Sequence, residues 1–144
     1  MSQEKSTDGE ESSAGLLNTK LVMTSSALFL GVLGVPTSFF APEILEYYGT
    51  PPEGVEVLFV KAAGAMYLGF AILNWMARGN IIGGIYSRPV ALGNFFHFAV
   101  VAVMLLKRLI VESHSAIIVI AAVAYTVFAC CFGYIISTGG QSCG

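Results

Sequence analysis

Charge is scarce in this chain and missing from its long stretches. Asp, Glu, Lys and Arg make up 11% of the 144 residues, where a soluble domain carries about 25%. None lies between Leu21 and Ala41, and none between Ser115 and Ser137. Hydrophobic residues reach 56% and the mean hydropathy is +0.76. Such a balance excludes an ordinary water-soluble globule and points to a lipid environment. The net charge of −2, with no basic patch, excludes nucleic acid as a partner.

Chemistry-bearing residues are few as well. Cysteine occurs at Cys130, Cys131 and Cys143. The adjacent pair points about 100° apart on a helix, and no zinc spacing is present, so these read as small apolar residues. The two histidines are His97, inside an apolar stretch, and His114, in a connection at the opposite surface. One haem iron therefore cannot take both within a single chain. There is no glycine-rich phosphate loop, no Ser-His-Asp set and no pair of carboxylates inside an apolar run. No motif indicates an enzyme, and no cofactor or metal is identified, although a quinone or lipid fits such surroundings.

What the chain does have is length of apolar sequence. A membrane helix needs about 20 mostly apolar residues. Four windows qualify: 21–40, 55–77, 86–106 and 115–137. Each is too long for a strand, so the expected fold class is all-α, an integral membrane four-helix bundle. The run from Leu21 follows an acidic start, unlike a cleaved signal peptide, and reads as a retained span. Residues 1–15 are polar and acidic and are expected to form a disordered tail. Residues 16–138 form the single transmembrane domain, and 139–144 a short polar tail.

The connections are short, which favours up-down-up-down topology. In "APEILEYYGTPPEG", Pro42 suits the first turn of a short interfacial helix, Gly49 its end, and Pro51 and Pro52 a stop. Pro36 is expected to bend the first span. Lysine and arginine bias sets the orientation. Lys5 and Lys20 precede the first span, and Arg78 and Arg88 flank the second connection, while the first connection has neither type. Lys107 and Arg108 oppose this bias. The balance puts both termini in the cytoplasm. Trp75, Tyr86 and Tyr134 fall near one interface, and Tyr47 and Tyr48 near the other.

Polar residues inside the apolar runs are the candidate sites. Asn94 and His97 are three apart and share a helix face. His97 lies about 12 Å along its helix from Pro89. Asn74, near the end of the second span, falls at similar depth in an antiparallel arrangement. Asn74, Asn94 and His97 are thus read as a polar cluster, serving as interhelical contacts or as a ligand contact or proton relay. Phe95, Phe96, Phe98 and Tyr67 can line an apolar slot beside them for a quinone or lipid.

Lys61 is the one charge well inside a span, about 9 Å past Val55. Glu56, Glu43 and Glu46 lie on the same outer side, giving a candidate charged site or a snorkelling lysine with a carboxylate partner. Gly31, Gly34, Gly64, Ala65, Gly69, Ala121, Ala122 and Ala124 are small residues that let helices approach closely. They are the faces on which a protein partner or a second copy is expected to dock.

"KAAGAMYLGFAILNWMARG" (61–79), "RPVALGNFFHF" (88–98) and the "FAPEILEYYG" connection resemble small four-helix membrane proteins, loosely DoxX-like. The resemblance spans 21–137 and rests on packing motifs. It implies a four-helix membrane fold and supplies no catalytic residues. Some DoxX-like proteins are subunits of membrane redox assemblies that use quinone. Three readings follow: an accessory or scaffold subunit, a binder of a small amphiphile, and a small oligomeric transporter using Lys61.

Overall fold

The structure, a computed structural model, describes residues 4–79, 87–111 and 116–138, with side chains described from Thr19 and, in the second stretch, from Arg88. Five helices follow in order: α1 (Glu4–Phe39), α2 (Ala41–Tyr47), α3 (Val55–Ala77), α4 (Ser87–Val111) and α5 (Ala116–Thr138). No strand occurs among the described residues. Four stretches are long and apolar enough to cross a membrane: Thr19–Phe39, Val55–Ala77, Arg88–Val111 and Ala116–Thr138. The fold is the expected all-α one with four spanning helices.

Two compact units divide the chain. One is Met23–Arg78, and the other joins Met1–Val22 to Gly79–Gly144. In the first unit, α1 and α3 meet along an antiparallel seam. Ser26 meets Asn74, Gly31 faces Ala71, Gly34 faces Leu68 and Gly64 faces Ser38. The residue numbers rise along one helix as they fall along the other. Small residues make this seam possible. A Cβ on Gly64 would stand 2.5 Å from the Ser38 backbone nitrogen, and one on Gly34 3.0 Å from that of Leu68. Backbones this close leave no room for a side chain. Met23, Ala27, Leu30 and Gly34 form the buried stripe of α1, at the three-and-four spacing of one helix face.

The short helix α2 is set by its ends. Pro42 occupies the first turn, where its missing N–H is no loss. At the other end Gly49 has φ 76. Its N–H donates to Glu46 O at 2.9 Å, and the Thr50 N–H donates to Leu45 O at 2.9 Å. These two bonds close a Schellman motif. α1 runs through Pro36, and the Thr37 hydroxyl donates to the carbonyls of Leu33 (2.7 Å) and Gly34 (3.2 Å).

In the other unit, α4 and α5 also pair antiparallel. Phe95 meets Gly133, while Phe98 meets Phe132, Phe128 and Tyr125. Phe98 stacks on Phe128 at 4.9 Å and on Phe132 at 5.7 Å between ring centroids. Phe98 and Phe132 are fully buried. Ala91, Asn94, Phe98 and Ala102 mark the buried stripe of α4, and Ala122, Tyr125, Phe132 and Ile135 that of α5.

The outward faces are apolar too. Met76 is 75% exposed and Ile110 84%. Only 6% of the apolar window of α3 is buried. In water such faces would aggregate; in a bilayer they are solvated by acyl chains. The protein is therefore a small multi-pass integral membrane protein. At one end of α3 the Arg78 guanidinium lies 3.5 Å over the Trp75 ring, a cation–π pair of the kind that settles at a headgroup layer. Tyr47, Tyr48 and Tyr134 are exposed; Tyr86 lies outside the described residues.

Two boundaries differ from the sequence reading. The backbone is helical from Glu4, where 1–15 was expected to be a disordered tail. That stretch holds no proline and several helix formers (Glu4, Lys5, Glu10, Glu11, Ala14), and it continues a span already fixed as helix. α4 ends at Val111 rather than near Leu106, because Lys107 and Arg108 can extend their stems along the helix while their charges reach the headgroups.

Candidate functional site

Asn74 is the best-defined polar group within a span. Its Nδ2 donates to Ser26 Oγ at 3.0 Å, and the Ser26 hydroxyl donates to Met23 O at 3.0 Å. Both side chains are fully buried. The serine hydroxyl thus has its proton and a lone pair engaged, and the pair bridges α1 and α3 at one end of their apolar seam. A polar bridge in hydrocarbon fixes register, since any slip would strand its groups. Sequence reasoning singled out Asn74 but missed Ser26. The only signal was a hydroxyl on the same face as Met23 and Leu30, within the run Thr24-Ser25-Ser26.

Asn94 is also fully buried, and its Nδ2 donates to Val90 O at 2.9 Å, one turn back in its own helix. His97 is half-buried, with ring centroids 5.3 Å from Phe98 and 6.1 Å from Tyr125. Asn94 and His97 share α4, as the spacing requires. Asn74 belongs to the other compact unit, where its described partner is Ser26.

The apolar slot expected around Phe98 is solid at that residue, since Phe98 is fully buried and stacked between other rings. Phe95 is half-buried against Gly133, Phe96 is 58% exposed, and Tyr67 sits half-buried on α3.

The charged candidates are dispersed on the surface of the Met23–Arg78 unit. Lys61, Glu43, Glu46 and Glu56 are all exposed. Among the described residues, no hydrogen bond or ion pair ties Lys61 to any of these carboxylates. An exposed lysine on the first turns of α3 suits a stem lying along the span with its ammonium at the headgroups. Cys130 is exposed and Cys131 half-buried, both as free thiols, while Cys143 lies outside the described residues. Among the described residues, no group of three or more His, Cys, Asp or Glu is placed to hold a metal ion.

One open recess lies in the Met23–Arg78 unit, between the end of α1 and α2, with a volume of about 420 Å³. Val32, Leu33, Pro36 and Ile44 give it apolar walls, and Thr37, Glu43, Tyr47 and Tyr48 give it a polar end. A shallower apolar groove of about 240 Å³ runs beside Ala27, Ala71 and Trp75.

α3 presents small residues on two sides. Gly64 is buried against Ser38 and Thr37 of α1. Ala65 and Gly69 are exposed, four residues apart, and a Cβ on Gly69 would meet nothing within 4 Å. The first side is occupied by the chain's own packing, and the second is open. Set against models of known protein families, curated proteins and solved structures, the chain matches none.

Proposed function

We propose that this protein is a non-enzymatic accessory or scaffold subunit of a membrane assembly. Its docking surface is the open small-residue face of α3, carrying Ala65 and Gly69. The observation behind this reading is the contrast between Gly64, closed against α1, and Gly69, with nothing near it. Small residues four apart on a lipid-facing helix allow another helix to approach closely, where dispersion and Cα–H contacts stabilise the pair. Leaving that face to lipid gives up this packing.

The polar groups support the same reading. Asn74 and Asn94 hydrogen-bond to protein groups, and the aromatic cluster around Phe98 is filled. The resemblance of 61–79 and 88–98 to small DoxX-like membrane proteins rests on packing motifs and agrees with a partner-binding role. The lysine and arginine bias supports both termini facing the cytoplasm.

A photo-crosslinking residue placed at position 69 tests the reading in the native membrane. The expected product is a discrete adduct to a protein, either a different chain or a second copy. The same probe at Phe59, also exposed but about 80° around the helix from Gly69, gives far less. Equal, diffuse labelling of lipid at both positions would contradict the proposal.

A further inference from the structure

The recess between α1 and α2 has the make-up of a headgroup site. Of its apolar walls, Val32, Leu33 and Pro36 lie along the last turns of a span that ends at Phe39, and Ile44 faces the recess from α2. Its polar end combines the Glu43 carboxylate, the Thr37 hydroxyl and the rings of Tyr47 and Tyr48. The two tyrosine rings stand edge to face, 5.3 Å between centroids. The cavity therefore runs from acyl-chain depth to headgroup depth and changes from apolar to anionic and aromatic on the way.

We propose that this recess binds one phospholipid whose headgroup ends in a positively charged ammonium, of the ethanolamine or choline type. Three features select that chemistry. Glu43 is exposed, and among the described residues no cation pairs with it. The chain supplies none nearby in sequence, since no Lys or Arg lies between Lys20 and Lys61. The faces of Tyr47 and Tyr48 attract alkylammonium groups through their ring quadrupoles, and the attraction grows as the cation loses water. An anionic headgroup would instead meet Glu43, with Glu46 close by on the same helix. A soluble amine would have the polar end but would leave the Val32–Leu33 wall unused, so a lipid, with chains to lay there, is the occupant that fits the whole cavity.

The site is separate from the α3 face used for docking, so each proposal can fail alone. The test uses the full chain in nanodiscs containing equal parts of phosphatidylethanolamine, phosphatidylcholine and phosphatidylglycerol. Native mass spectrometry after release reads which lipids stay bound. The expected result is one retained ammonium lipid, favoured about tenfold over phosphatidylglycerol.

Glu43→Gln should abolish that preference while helix content by circular dichroism stays unchanged. Tyr48→Leu should weaken it severalfold, and Glu46→Gln, outside the recess, should leave it intact. Retention of phosphatidylglycerol as strong as that of the other lipids would overturn the proposal. So would a preference indifferent to Glu43→Gln. Saturable binding of free choline or ethanolamine in detergent, with no lipid retained, would assign the recess to a soluble amine and overturn the lipid.

Discussion

Asn74 donates a hydrogen bond of 3.0 Å to the hydroxyl of Ser26, forty-eight residues earlier, and both side chains are fully buried. This pair joins the two helices whose small residues bring their backbones together. It should behave as a coupled unit. Ser26→Ala and Asn74→Leu, combined in a double-mutant cycle, are expected to show a coupling of about 0.6 kcal/mol and up to about 1.7 kcal/mol. The measurement is reversible unfolding in mixed micelles. Strict additivity of the two changes would show that the bond contributes nothing to the seam.

The two faces of α3 predict opposite outcomes for the same substitution. Gly64→Ala places a Cβ 2.5 Å from backbone and hydroxyl atoms of Ser38. Backbone cannot rotate away as a flexible side chain can, so the helices must part, at a cost of about 1–3 kcal/mol or more. Gly69→Ala meets open space and is expected to be neutral or to stabilise by up to about 1 kcal/mol through helix propensity. Thermal unfolding in detergent separates the two. Equal destabilisation would mean that both faces are packed within the chain.

Phe98 and Phe96 are neighbours in sequence and opposites in surroundings. Phe98 is fully buried between rings of α5, while Phe96 is 58% exposed. Phe98→Ala should cost about 3–5 kcal/mol, the range for emptying a large aromatic site. Phe96→Ala should fall within about 0.5 kcal/mol of the parent. Comparable losses at both would contradict the packing of α4 against α5.

How much of this was legible beforehand follows from what each feature depends on. Spans depend on local composition, so the second expected window coincides with α3 and the first differs from its span by two residues at the start and one at the end. The short helix α2 was also local, written in Pro42 and Gly49. The partner of Asn74 was not local. Thr24, Ser25 and Ser26 offer three hydroxyls in a row, and only the antiparallel register of α1 on α3 selects Ser26. The same holds for the glycines. Gly64 and Gly69 look alike in a list of small residues, yet the first is closed and the second open, because five residues of helix turn them about 140° apart. The start of α1 depends on something else: acidic composition argues against a core, but it does not prevent a helix from continuing outward.

Orientation has its own test. With the native cysteines replaced, a single cysteine at Glu53 should react with a membrane-impermeant thiol reagent on intact cells. One at Ser6 should react only after lysis. This follows from the Lys and Arg bias at the first span and the second connection. The reverse labelling pattern would show that Lys107 and Arg108 dominate.

Native mass spectrometry of the protein, gently extracted from its own membrane, tests the central claim most directly. The account predicts a defined complex, with another protein or a second copy, that falls apart when Gly69→Leu fills the open face while the monomer stays folded. A bare monomer from the native membrane, or a complex indifferent to Gly69→Leu and Ala65→Leu, would contradict it.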